Sequence, residues 1–533
     1  MRVLSLLLVL ISVLATAAFV ILGILLGHLW FLGLIWSIPT AAVGIRDLVQ
    51  TEHSILRNYP LLGHLRFFFE SIRPEMMQYF VESDEAGRPY NRTQRTAVYE
   101  RAKNEEDVKA FGTELDVYGI EYEYITHSIA PKPKQDHHFT VTIGNEQCGK
   151  PYEASVLNIS AMSFGALSPN ALLSLNQGAK MGNFYHDTGE GGVSDYHKRP
   201  GGDLVWEIGT GYFGCRDDTG NFDPELFRDT ASLDQIKMVE IKVSQGAKAG
   251  HGGVLPGSKV DAEIARVRHI PVGKDCISPA YHTAFSTPTG LLEFVATLRE
   301  LSGAKPAGFK LCIGRPHEFL AVCKAMRTTK IYPDFIVIDG AEGGTGAGPV
   351  EFLDHMGVPL TEGLIFAQNA LVGMGLRSHV RLAASGKVAT AFNLAQRMAM
   401  GADWCNAARA FMFSVGCIQA ERCHTNTCPV GVATQNPALF RGIDVPTKAE
   451  RVMHYHCNTL EALAEVTAAA GLMHPREFSP LHIARRVSAT DVLPYAKIYD
   501  FLEPGELLGD APPPHWKEWL DLASPDTFDR ASG

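Results

Sequence analysis

Phe335-Ile-Val-Ile-Asp339, followed at once by Gly-Ala-Glu-Gly-Gly-Thr-Gly-Ala-Gly348, is the stretch from which the rest of this chain can be read. A short apolar run ending in an acid predicts a strand buried on both faces, the habit of parallel sheets. Five glycines in the ten residues from Asp339 to Gly348 let backbone N–H groups converge on an anion, although tight turns also consume glycine. Working outward, residues 155–160, 239–243, 308–312 and 380–383 are further short β-branched runs. Each is followed by a polar or glycine-rich loop and a helical pattern, as at 170–181. Repeated units of this kind imply a parallel sheet, closed as a barrel or doubly wound. No G-x-G-x-x-G opens the first unit, and chemistry-bearing residues follow many different strands. Both features favour a (β/α)8 TIM barrel. Ser385-Gly386-Lys387, after a later strand, is a second candidate phosphate loop.

The 533 residues are 46% hydrophobic with 50 glycines, which fits a large core served by many tight loops. A net charge of -10 and the lack of a basic stripe argue against a nucleic-acid partner. Ten unevenly spread cysteines make no disulfide framework, so the body is expected in a reducing compartment. From Val3 to Ile45 the only ionisable side chain is His28. That run is about twice the ~20 residues that cross a bilayer once. Gly23, Gly27 and His28 mark a turn between two spans, and Trp30 and Trp36 suit the interfaces. The expected topology is a hairpin with both ends in the cytosol. The alternatives are one span with an interfacial segment, or a buried pair of core helices. A signal peptide cut near Ala15-Thr-Ala17 fits poorly, because the apolar run continues past it. Arg46, Arg57, Arg66 and Arg73 outnumber Arg2 and place the body on the cytosolic side of an inner (cytoplasmic) membrane. The expected organisation is a transmembrane segment over 1–45, a connecting module over 46–150, the barrel over 151–480 and a C-terminal arm over 481–533.

Cys417-Ile-Gln-Ala-Glu-Arg-Cys423-His-Thr-Asn-Thr-Cys428-Pro429 spaces three cysteines as C-x5-C-x4-C, with a proline behind the last. The pattern suits an iron–sulfur cluster held by thiolates. A structural zinc site wants four ligands, and this run offers three. Three unrelated core thiols would give the same spacing by chance in a chain this rich in cysteine.

The segment Cys423-His424-Thr425-Asn426-Thr427-Cys428-Pro429-Val430-Gly431-Val432-Ala433-Thr434-Gln435 resembles the C-H-x-N-x-C-P-V-G-V-A-T-Q motif of glutamate synthase large subunits. The likeness extends over residues 150–470. It implies a (β/α)8 synthase barrel holding FMN, with Cys417, Cys423 and Cys428 binding a [3Fe–4S] cluster beside it. Gly343-Gly344-Thr345-Gly346 matches the stretch that binds the FMN phosphate region. Lys310 resembles a lysine beside the flavin, and Ala161-Met162-Ser163-Phe-Gly165-Ala-Leu-Ser168 a stretch lining it. Met162, Ser163, Lys310, Ser385 and Gly386 thus join the glycine loop as expected cofactor contacts. Lys242-Val-Ser-Gln245-Gly-Ala-Lys248-Ala-Gly-His-Gly-Gly-Val-Leu-Pro256-Gly resembles K-x-x-Q-G-A-K-P-G-x-G-G-x-L-P-G. There Gln245 and Lys248 match residues that contact 2-oxoglutarate and the flavin. A dicarboxylate keto acid wants such a fixed cation and amide donor. Asp187-Thr-Gly-Glu190-Gly-Gly192 matches T-G-E-G-G, whose glutamate orients ammonia or moves a proton during imine formation.

The pattern also breaks. Met1 is followed by Arg2 and the apolar run where the family has an N-terminal cysteine nucleophile, so no glutaminase domain is expected. Ammonia then arrives free or from a partner. The family's C-terminal β-helix is not expected beyond residue 480 either. In Ser278-Pro-Ala-Tyr-His282-Thr-Ala-Phe-Ser286, Thr283 and Phe285 stand where the family has Asp and Tyr, which leaves the keto acid open. Glu342 stands where Asp is usual. Without a dinucleotide fingerprint, the expected electron donor is external: ferredoxin, a reductase subunit or a membrane carrier. The activity implied is reductive amination of 2-oxoglutarate, with Lys248, Gln245 and Glu190 as catalytic residues. Two rivals are an FMN/Fe–S dehydrogenase of another amino or keto acid coupled to quinone or ferredoxin, and a non-catalytic electron-transfer subunit.

Overall fold

The computed structural model describes residues 1–531 and divides into two compact units, 1–91 and 92 onward. In the second unit eight parallel strands close into a barrel. They are β1 (Leu157–Ile159), β2 (His186–Asp187), β3 (Leu204–Ile208), β4 (Ile236–Lys242), β5 (Ala307–Leu311), β6 (Phe335–Asp339), β7 (Arg381–Ser385) and β8 (Trp404–Ala407). They follow one another round the barrel in chain order, and β8 closes on β1 with Cys405 opposite Leu157. The (β/α)8 barrel expected from the strand–loop–helix alternation is therefore the observed fold. Every residue of β3 and β6 is buried, as helices on the outer face and packed side chains inside require.

β2, β3 and β8 do not announce themselves in the sequence. β2 has two residues, while Glu207 and Asn406 interrupt the apolar character of the other two. Barrel closure recruits them. Helices begin where the chain supplies caps. Ser168 accepts from the Ala171 N–H ahead of α4 (Pro169–Gly182), and Thr287 from the Gly290 N–H ahead of α5 (Pro288–Leu301), each with a proline at the first helical positions. α6 (Leu360–Gly373) follows β6, and α7 (Arg409–Val415) follows β8. The long α8 (Val445–Ala469) packs on α4.

The connecting module expected over 46–150 is divided between the two units. From Arg92 on it belongs with the barrel: strand Glu123–Ile125 pairs antiparallel with Ile483–Arg486, and Thr140–Ile143 with Tyr152–Ser155. The stretch from 481, expected as a C-terminal arm, packs on the body through its last helix. Trp516 of α9 (Pro514–Leu522) is buried and stacks on Phe366 at 5.1 Å. Trp516 and Leu520, one helical turn apart, give that helix a face to bury.

In the first unit α1 (Arg2–Leu26) and α2 (Leu34–Val49) form an antiparallel hairpin that turns through Gly27 at φ 115°. A Cβ on Gly44 would lie 2.7 Å from Val9, and one on Gly33 2.6 Å from Phe19, so these glycines permit the close helix approach. α1, and the continuous helical run His28–Val49 that ends in α2, are each long and apolar enough to cross a membrane.

Candidate active site

The C-terminal ends of the strands gather the sequence-expected residues at one mouth. Gln245 and Lys248, just past β4, reach across to the glycine loop after β6. The Lys248 ammonium donates to the Ala347 carbonyl at 2.9 Å, and the Gln245 amide to the Thr345 hydroxyl at 3.5 Å. Asp339, the last residue of β6, accepts the Gly246 N–H at 2.8 Å and locks the two loops together. Behind them the Gly340 N–H bonds the Ser385 carbonyl, which sets Ser385 and Gly386 beside the same loop. Gly386 has φ 146°, a backbone open to glycine. A Cβ on Gly344 would sit 2.8 Å from Arg409 Nε, so a guanidinium also borders the glycine loop. Glu342 accepts the Leu360 N–H at 2.9 Å, and the longer acid in place of Asp caps α6.

On the opposite rim stands Glu190, paired with Lys242 at 2.8 Å. Burial opposes its charge, but Lys242, Arg268 and Lys248 outweigh burial and bring the carboxyl down to about 2. Glu190 is therefore a carboxylate at every working pH: an acceptor and orienter, and a poor acid. Burial lowers Lys248, with Lys242 adding to the effect and Glu190 opposing it. The Ser278 hydroxyl donates to Glu190 at 3.4 Å, and His282 Nε2 lies 2.9 Å from the Lys242 carbonyl oxygen. Thr283 donates to Asn221 at 3.1 Å, and Phe285 stacks on His282 at 5.0 Å. Of the two departures from the family pattern, Phe285 packs on the His282 that reaches Lys242, while Thr283 bonds Asn221 at the surface.

Lys310 lies in the barrel interior. Its ammonium pairs with Glu207 and, at 3.4 Å, with Glu240, while Asp187 completes a buried trio of acids. Burial works against the lysine's charge, and the surrounding acids Glu207, Glu240, Asp187 and Asp339 overcome it and hold the pKa well above the usual range. Burial, reinforced by Asp187 and Glu207 against the pull of Lys310, raises Glu240 far above an ordinary carboxyl.

The cysteine loop abuts the loop after β1. Gln435 donates to the Gly165 and Leu167 carbonyls at 3.2 and 2.8 Å, and the Ser168 N–H bonds the Val432 carbonyl. Met162 and Ser163 belong to that same loop, where the Met162 N–H bonds the Asp187 carbonyl. Lys259, from the long segment after β4, donates to the Cys423 and Ala433 carbonyls at 2.8 and 3.2 Å. Burial raises the Cys417 thiol to about 12, with the neighbouring Cys423 and Cys428 adding to the effect. Cys428 is buried and Cys417 and Cys423 are half-buried, and all three lie on this one loop.

The fold thus unites Glu190, Gln245, Lys248 and the 343–346 loop at one mouth, and sets the cysteine loop against the neighbouring β1 loop. Lys310 faces inward to acids. Lys242, Arg268, Lys259 and Arg409 are the functional candidates that sequence reasoning passed over. Lys242 had a signal, since it opens the same K-x-x-Q motif. Arg268 ends the short helix Ala262–Arg268 and Lys259 a 3-10 turn, outside any motif, and only the fold brings them in.

Fold and site together define a (β/α)8-barrel protein with a charged, glycine-looped mouth and a cysteine-bearing segment beside it. A family model described as the conserved region in glutamate synthase matches residues 93–473, and the chain belongs to that family. It is a glutamate synthase-like oxidoreductase, of the kind acting on CH–NH2 donors. It is 38% identical over 487 residues to "Glutamate synthase large subunit-like protein YerD" of Bacillus subtilis (strain 168), covering 84% of this chain and 92% of that one. To "Archaeal glutamate synthase [NADPH]" of Methanocaldococcus jannaschii it is 35% identical over 314 residues, 59% of this chain and 58% of the other. To "Glutamate synthase [NADPH] large chain" of Azospirillum brasilense it is 34% identical over 317 residues, 58% of this chain and only 20% of the other.

Proposed function

We propose that the protein reductively aminates 2-oxoglutarate with free or partner-supplied ammonia to L-glutamate, drawing electrons from an external donor, on a membrane that α1 and α2 cross. The observation that carries the reading is the Lys242–Glu190 pair at 2.8 Å, whose ammonium also donates to Gln245 at 3.4 Å, with Lys248 close enough for its charge to act on Glu190. Two fixed cations and an amide donor suit the carboxylates and carbonyl of a keto diacid. A permanent carboxylate between them suits ammonia, which it holds by accepting N–H bonds.

FMN fits this mouth. The glycines at 343, 344 and 346 and Gly386 leave backbone exposed where a side chain would stand, Arg409 borders them, and Met162 and Ser163 line the neighbouring loop. Those residues, with Thr345 and Ser385, would hold the cofactor, and reduced FMN supplies a hydride to the imine carbon. Cys417, Cys423 and Cys428 would hold an iron–sulfur cluster, [3Fe–4S] by ligand count, which supplies one-electron transfer. The chain's own part is placement. Lys248 and Gln245 fix the keto acid, Glu190 aligns the amine on the carbonyl, and Lys242 keeps Glu190 ionised. Water leaves as the C=N bond forms.

The test is made on anaerobically purified, chemically reduced protein given 2-oxoglutarate and ammonium. Glutamate formed in step with flavin reoxidation is expected. Intact flavin and iron with no glutamate would overturn the reading. A second reading, a membrane-linked dehydrogenase of another amino or keto acid, draws support from Phe285, stacked on the His282 that reaches Lys242, and from the two membrane-length helical runs. Reduction of the oxidised flavin by a different amino acid would select it.

A further inference from the structure

Asp47, in the last turn of α2, is fully buried and holds the segment that follows it. Its carboxylate accepts the Leu61 N–H at 3.0 Å and lies 2.8 Å from His64 Nε2. Ser5, in the first turns of α1, donates to the Pro60 carbonyl. Because α1 and α2 run antiparallel, both ties lie at the open end of the hairpin. α3 (Gly63–Met76), prolonged by a π-helical turn over Met77–Val81, therefore departs from the level at which both hairpin helices finish.

Its surface is unusual for a helix beside water. Leu65, Phe68, Phe69, Met76 and Phe80 are 54%, 55%, 62%, 43% and 78% exposed, and they recur at the three- and four-residue steps that make one helical face. Arg66, Glu70 and Arg73 occupy the flank, with Arg66 and Glu70 paired at 3.6 Å. Phe67, off the apolar face, turns back onto His53 at 5.5 Å. Four charges, Arg66, Glu70, Arg73 and Glu75, sit along the fourteen residues of this helix, which a spanning helix in hydrocarbon does not carry. The helix is built to lie on a bilayer and not to cross it.

We infer that α3 lies in the headgroup–acyl boundary of a lipid bilayer, its Leu65–Phe68–Phe69–Met76 face turned to the acyl chains, as a collar at the base of the hairpin. The inference rests on the proposal that α1 and α2 cross the membrane. Between Gly63 and Val81 the two arginines balance the two glutamates, so apolar insertion and not anionic lipid holds the collar down.

The full chain, reconstituted in bilayers of phosphatidylcholine alone, tests it. A photoreactive phenylalanine analogue is installed at Phe68 or, as reference, at Ile21 in α1, and adducts are mapped by mass spectrometry after irradiation. Lipid adducts are expected at both positions and absent without light. Adducts at Ile21 with none at Phe68 would overturn the collar and leave the spanning helices standing. Adducts at neither would overturn the membrane reading itself. A cross-link from Phe68 to a second copy of the chain would assign the apolar face to an interface instead, and so overturn the inference.

Discussion

Lys310 is the one cation among three buried acids, and its neighbours show how differently two charged residues can matter. Replacing it in Lys310→Met takes the paired cation away from Glu207 and Glu240. Removing one member of a buried ion pair costs about 3–5 kcal/mol, so chemical denaturation should register a loss of that size. Glu240→Gln should cost less than Lys310→Met, because burial already disfavours that carboxyl's charge and an amide has nearly its shape. A large loss in Glu240→Gln would mean that the carboxyl is ionised. At the mouth, Lys248 is 4% exposed and its ammonium is spent on one carbonyl, so Lys248→Ala should leave the barrel and its flavin content intact. Turnover should fall about 100-fold or more, as when a fixed donor to a developing charge is removed. Wild-type turnover in that variant would strike Lys248 from the catalytic set.

Loops and helices carry the next set of expectations. The cysteine loop is held by its own side chains: Asn426, at φ 61°, accepts the Gln435 N–H at 2.7 Å and the Thr434 hydroxyl at 3.0 Å. Cys423→Ser keeps that scaffold but removes one thiolate. Purified protein should then lose iron and its paramagnetic signal while flavin absorbance remains, and unchanged iron content would refute the ligand assignment. At the other end of the chain, Trp516 is 3% exposed against Phe366. Trp516→Ala should destabilise by about 3–5 kcal/mol, read by denaturant unfolding of the barrel. A loss near zero would return this stretch to the status of a surface arm. The tryptophans that pin this stretch are legible as an apolar pair only once the helix and its partner are known.

For the molecule as a whole, buried histidines set the response to acid. Burial holds His197 and His282 at about 4 and His456 at about 3, and drives His186 well below its ordinary value. These folded-state values are depressed, so the stability they represent is complete above the unfolded pKa near 6.5. It is lost as pH falls from there toward 4, where only the unfolded chain takes up protons. The slope is about 1.4 kcal/mol per histidine per pH unit. Unfolding midpoints should therefore drop steeply between about pH 6.5 and about pH 4.5, ahead of any contribution from Glu190, whose pKa near 2 matters only below the range of an ordinary carboxyl. A flat profile across that window would show that these rings are already protonated or solvated.

The sequence by itself determined a parallel sheet of strand–loop–helix units and favoured its closure as a barrel, because β-branched runs separated by helical patterns bury themselves in few other ways. It also marked the glycine loop at 343–346, the cysteine run and the Gln245–Lys248 motif, since glycines, thiols and a fixed cation declare their chemistry in one dimension. Only the tertiary structure decided that Lys242 holds Glu190 ionised, that Lys310 faces acids inside the barrel, that Arg409 borders the glycine loop, and that Lys259 reaches the cysteine loop. Those pairings join residues far apart in the chain, and local pattern carries no information about which distant charges a closed barrel will bring within 3 Å of one another.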